Sequence, residues 1–184
     1  MSIRTLAAEA FQVWIADRGI GRVPQDGQSD RLDFTAGSVG GRWPYPGAAF
    51  LVPQFLATLL SAVRRNERYW MYPERGVWSP GRHTESGPQA RVWTTSVKAL
   101  GVPAGLRGAV GFNSTDWNEL CSTLFVQVTL GPEVRIEASV IPESGTAVLN
   151  FGRDRAVWCS FREQAALDAV AAAMERAGYS PLTA

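Results

Sequence analysis

Apolar positions recur along this chain with two periods, one near 3.6 residues and one of 2, and the changes of period mark its elements. Leu6, Ala10, Phe11, Trp14 and Ile15 fall at helical spacing and predict a helix over 5–17, stopped by Gly19 and Gly21. Residues 19–47 are rich in Gly, Asp, Ser and Pro and read as a long connection with one short strand over 31–35. Pro53 suits a first helical turn, where its missing N–H has no partner to lose. Phe55, Leu56, Leu59, Leu60 and Val63 then form one apolar stripe, Arg64 and Arg65 favour the negative end of the helix dipole, and the helix ends near Asn66.

Residues 68–73 read as a strand, Glu74-Arg75-Gly76 as a turn, and Val77-Trp78 as a second strand, together an aromatic hairpin. A short helix is expected over 89–100 and a strand over 108–112. Asn113, Ser114 and Thr115 are all able to cap the helix that follows, in which Trp117, Leu120, Cys121, Leu124 and Val128 make one stripe. Val134, Ile136, Ala138 and Val140 alternate with polar residues as a half-buried strand does, and strands over 146–151 and 155–160 follow, joined by a tight turn at Gly152-Arg153-Asp154. Ser160 and Glu163 have capping-box spacing, and Leu167, Val170, Ala171 and Met174 face the core from a last helix closed by Gly178 and Pro181.

This order predicts an α+β fold: a mainly antiparallel sheet with helices packed on it, closing in a β-α-β-β-β-α segment whose turns are too short for parallel crossovers. The 184 residues fit a single domain over 1–184, with an N-terminal helix and long loop over 1–47 and the α+β core over 48–184.

Composition narrows the function classes. The longest uncharged run, 43–63, is broken by Pro44, Pro46, Gly47 and Pro53 and carries Gln54, Thr58 and Ser61, so it does not read as a membrane span. Glu9 and Asp17 interrupt the early apolar stretch where a signal peptide would be continuous, which places the chain in the cytoplasm. Cys121 and Cys159 have neither metal nor redox spacing and read as buried thiols. The net charge of +1 conceals a +5 segment over 64–107 and a −4 segment over 108–184, a separation that steers partners. Aromatic and basic residues interleave over 64–107, but a nucleic-acid binder is the weaker reading, because no recognition motif accompanies them.

The one histidine, His83, has no Cys or carboxylate cluster and no Gly-x-Ser-x-Gly elbow to serve. Gly19 and Gly21 do not follow a strand, and Gly37, Gly40 and Gly41 lack the Lys-Ser/Thr of a phosphate loop, so these glycines read as loop flexibility and no cofactor is expected. The most individual segment is 69–85, where aromatic and Arg residues have the composition of binding hot spots. Glu74, Arg75, Trp78, Arg82, His83 and Glu85 are its partner-contact residues.

The hairpin over 70–78, the run from Leu100 to Phe112 leading to Trp117, and the run from Val157 to Glu163 leading into Met174 and Leu182 resemble the immunity proteins of bacterial polymorphic and contact-dependent toxin systems. The resemblance implies a small cytoplasmic, non-catalytic α+β protein that binds and neutralises a cognate toxin domain. The alternative is a small-molecule or nucleotide-binding domain, enzymatic or not, with the aromatic hairpin as a stacking wall and Arg residues for anionic groups.

Overall fold

A computed structural model describes residues 3–25, 28–64, 66–73, 76–78, 87–134, 137–152 and 154–182. Among them the chain forms strands β1 (Arg4–Ala7), β2 (Ile20–Gln25), β3 (Gln28–Phe34), β4 (Val39–Pro44), β5 (Tyr69–Pro73), β6 (Gly108–Phe112), β7 (Ala138–Pro142), β8 (Ala147–Phe151) and β9 (Ala156–Phe161). The helices are α1 (Ala8–Ala16), α2 (Val52–Arg64), α3 (Pro88–Ala99), α4 (Trp117–Val134) and α5 (Gln164–Arg176). Seven strands make one antiparallel sheet in the order β1-β6-β5-β7-β8-β9-β4, and β2 and β3 pair as a separate hairpin. The α+β class and the helix-covered antiparallel sheet are as the sequence predicts.

Side chains of a strand alternate between faces, and here both faces are covered. Tyr69 and Met71 of β5 point into a core with Phe55, Leu56, Leu59 and Leu60 of α2, Trp93 of α3, Leu120 and Leu124 of α4, and Val170 and Met174 of α5. Trp70 and Tyr72, the intervening residues, point the other way, against Phe11 and Ile15 of α1 and Ile20, Leu32 and Phe34 of the hairpin. Phe11 stacks on Tyr72 with ring centroids 4.5 Å apart. Four helices, a sheet, and a thinner layer of α1 with the β2–β3 hairpin are therefore the three layers. Because both faces are buried, β5, β6, β7 and β8 run almost continuously apolar instead of alternating.

Several elements differ from the sequence reading. The stretch 19–47 is not a long loop: it supplies the hairpin and β4, and together with β1 it makes both edges of the sheet from the first 47 residues. The first helix starts at Ala8, because residues 4–7 pair with β6. Val77 does not pair back on β5 as a hairpin strand; it forms a single bridge with Arg107, while β5 lies between β6 and β7. The helix α4 continues through Gly131 and Pro132 to Val134, which shortens the following strand to 138–142. Ser160 lies in β9 and caps nothing; the capping box is at Asn113 and Asp116, ahead of α4.

Candidate functional site

Of the six predicted contact residues, Glu74, Arg75, Arg82, His83 and Glu85 lie outside the described residues. Trp78 is described, and its position corrects its assignment as a contact residue. It is only 4% exposed, donates Nε1–H to the Gly108 carbonyl at 2.9 Å, and stacks on Trp93, whose own Nε1–H is donated to the Trp78 carbonyl at 2.8 Å. Both indole donors are satisfied inside the protein, so Trp78 packs the interior.

Among the described residues, arginines lie over Trp14, Phe34 and Trp158, and only Trp158, on β9, has two of them. Val157, Cys159 and Phe161 of this strand enter the helical core, so Trp158 and Ser160 lie on the hairpin face. Arg42 of β4 is the direct cross-strand neighbour of Trp158, and Arg31 reaches it from β3. The guanidinium carbons of Arg31 and Arg42 lie 4.5 Å and 4.8 Å from the Trp158 ring centroid, within cation–π range.

Carboxylates fix both arginines from behind. Asp154 accepts from Arg42 at 2.9 Å and, through the same oxygen, from Trp158 Nε1 at 2.8 Å; Asp33 pairs with Arg31 at 3.3 Å and accepts the Phe34 N–H at 2.8 Å. The turn that delivers Asp154 holds Arg155 at φ 56°, the left-handed region, which costs a non-glycine residue about 1–2 kcal/mol. The Arg155 carbonyl accepts the Tyr45 N–H at 2.8 Å and so ties this turn to the end of β4. Burial, reinforced by the Asp154 carboxylate, pushes the Tyr45 phenol well above its usual pKa and keeps it neutral.

Arg31, Gly40, Arg42, Trp158, Ser160 and Leu182 line a cleft of about 260 Å³ at this edge of the sheet. The Arg31 and Arg42 side chains are 22% and 32% exposed, and the Nε atoms of both are buried with no hydrogen-bond partner among the described residues. Gly41, beside them, is a packing residue: a Cβ there would lie 2.6 Å from the Trp43 ring. A second cleft, of about 270 Å³, lies between α2 and α5 and is floored by Ala62, Ala147, Ala166 and Ala169. Its arginine, Arg162, lies over Phe34 and donates to the Arg18 carbonyl, so that guanidinium serves the hairpin layer.

The first cleft thus offers guanidinium donors, an indole face and a strand edge, which are means of recognition. Burial raises the pKa of Cys121 to about 11 and that of Cys159 higher still, so both thiols are protonated near neutral pH. Among the described residues, no group of three or more His, Cys, Asp or Glu is placed to hold a metal ion, and no helix is long and apolar enough to cross a membrane. Comparison with family models, with curated proteins and with solved structures finds no match.

The signal for this site in the sequence is the alternation of β9. Once Val157, Cys159 and Phe161 are assigned to the core, Trp158 must face the other way. That Arg31 and Arg42 meet it depends on pairings more than 110 residues apart in sequence, which no local pattern records.

Proposed function

We propose that this chain is a non-catalytic binding protein of the bacterial cytoplasm, an immunity protein that neutralises a cognate toxin domain by holding it against the Arg31–Arg42–Trp158 cleft. The observation that carries this reading is a half-buried tryptophan flanked by two arginines whose carboxylate partners hold them in place. Trp and Arg are the residue types that dominate interface energetics, since they desolvate a large area while losing little conformational freedom. Here the freedom is already lost before binding, which favours affinity. The resemblance of 70–78, 100–117 and 157–182 to immunity proteins supports the same reading.

The test is capture from native cell extract on the tagged chain, with mass spectrometry of what is retained. A stoichiometric partner carrying a toxin-like domain is expected, and Trp158→Ala should weaken its binding by roughly 30-fold or more, as an interface hot spot of about 2 kcal/mol requires. A partner that binds Trp158→Ala as tightly as the parent would place the interface elsewhere.

A second reading, a small planar anion such as a nucleotide, is favoured by the indole wall and paired guanidinium groups of the same cleft. It requires a dose-dependent rise in melting temperature with a nucleotide and no captured protein.

A further inference from the structure

The cleft has a backbone wall as well as side chains, and the chain itself already places a peptide on it. β4 is the last strand of the sheet, paired with β9 on one side only. On its outer side the Arg42 carbonyl accepts the N–H of Leu182 at 2.7 Å, and Leu182 is both 42% exposed and part of the cleft lining. In an antiparallel ladder the backbone groups of successive residues point to opposite sides, and those of residues two apart to the same side. Gly40 has the same parity as Arg42, so its N–H and carbonyl also point outward, along the line that Leu182 occupies.

We infer that the outer edge of β4 is a docking edge for an extended acidic segment of the protein partner, which adds as a strand at Gly40 and Arg42, sets a carboxylate against Arg31 and Arg42, and displaces Leu182. This rests on the protein-binding reading above and names the partner's chemistry. Three observations select the occupant. The tail contact at 2.7 Å makes the edge competent to bind backbone, which a free nucleotide or inorganic anion does not supply. Two arginines and no carboxylate line the cleft among the described residues; Asp154 and Asp33, which pair with these arginines, lie outside that lining and each bonds one Nη2. Alternate side chains of an added strand would point to the hairpin face, where Arg42 and Trp158 lie.

The present occupant, 42% exposed at Leu182, meets the edge through the Leu182 N–H. The tail is anchored upstream, where the Tyr179 ring packs edge-on against Phe55 at 5.1 Å and its N–H bonds to the Met174 carbonyl at 2.9 Å. Release of Leu182 leaves that anchor in place.

The full chain, ¹⁵N-labelled, would be titrated with a blocked peptide alternating Val and Glu and with its Val–Lys counterpart. Saturable shifts centred on the amides of Gly40 and Arg42, with the Glu peptide at least tenfold tighter, are expected. Leu182→Pro, which deletes the amide bonded to Arg42 while keeping Tyr179, should tighten the Glu peptide about threefold. Shifts that avoid Gly40 and Arg42, equal affinity for the two peptides, or no gain in Leu182→Pro would each overturn the inference. Capture of a partner that depends on Trp158 would survive all three outcomes, so failure here is distinguishable from failure of the binding function.

Discussion

Gly41→Ala separates two accounts of the glycine-rich stretch before α2. A flexible linker would gain from the change, since replacing Gly by Ala at an unstrained site stabilises by about 0.4–1 kcal/mol through the unfolded chain. The geometry requires the reverse. A Cβ on Gly41 would stand 2.6 Å and 2.8 Å from two atoms of the Trp43 ring and 3.2 Å from Leu167 Cδ1, and Trp43 is 1% exposed between β4 and the helices. Overpacking of this kind costs about 1–3 kcal/mol. At Gly47, by contrast, an added Cβ meets nothing within 4 Å and φ is ordinary, so Gly47→Ala should stabilise. Urea unfolding of the two variants should therefore give shifts of opposite sign. In a Trp43→Leu background the Gly41→Ala penalty should shrink by more than 1 kcal/mol, because the ring that opposes the methyl group is gone. A Gly41→Ala protein as stable as Gly47→Ala would refute the packing account and return the stretch to a flexible loop.

Trp93→Phe removes the donor to the Trp78 carbonyl in a fully buried setting and should destabilise by about 1–3 kcal/mol in the same assay; a neutral result would mean that the carbonyl finds another donor. Asn113→Ala removes both the capping box before α4 and the acceptor of Arg68 Nε at 2.9 Å, and should cost about 1–2 kcal/mol, with Asn113→Ser keeping the larger part of the stability. Both cysteine pKa values are raised by burial, Cys121 from 9.0 to about 11, so the folded state holds these protons more tightly than the unfolded chain does. The contribution of the two thiols to stability should be fully present below pH 9 and be lost from pH 9 towards 11 and beyond. Melting curves on the parent and on Cys121→Ala check this, with a shallower decline in the variant.

The helices and most strands were legible because each carries a periodic apolar face or a bounded apolar run. The stripe from Phe55 to Val63 and the stripe from Trp117 to Val128 needed only helical spacing to be read. The stretch 19–47 was opaque because its hairpin is anchored by few apolar residues, chiefly Ile20, Leu32 and Phe34, while Gly21, Gly40 and Gly41 serve close packing. Val77-Trp78 misled because an aromatic pair after a turn has the look of a returning strand. Its partner is Arg107, some 30 residues on, and the indole instead bonds Gly108. Position in the sheet was equally hidden: β5 lies between β6 and β7 through contacts about 40 and 70 residues distant. The site followed the same rule, with Trp158 visible from its own strand and its two arginines visible only in three dimensions.

Both borders of the sheet come from the beginning of the chain, and this sets an order of events during synthesis. Arg42 is made 116 residues before Trp158, its partner across the ladder. At about 5–20 residues per second, β4 waits roughly 6–23 s on the ribosome for the strand it must join. During that interval the edge of β4 that joins β9 has no native partner, so the nascent chain is open to a chaperone that recognises extended segments, and the cleft is complete only once Leu182, beyond the last strand, is delivered.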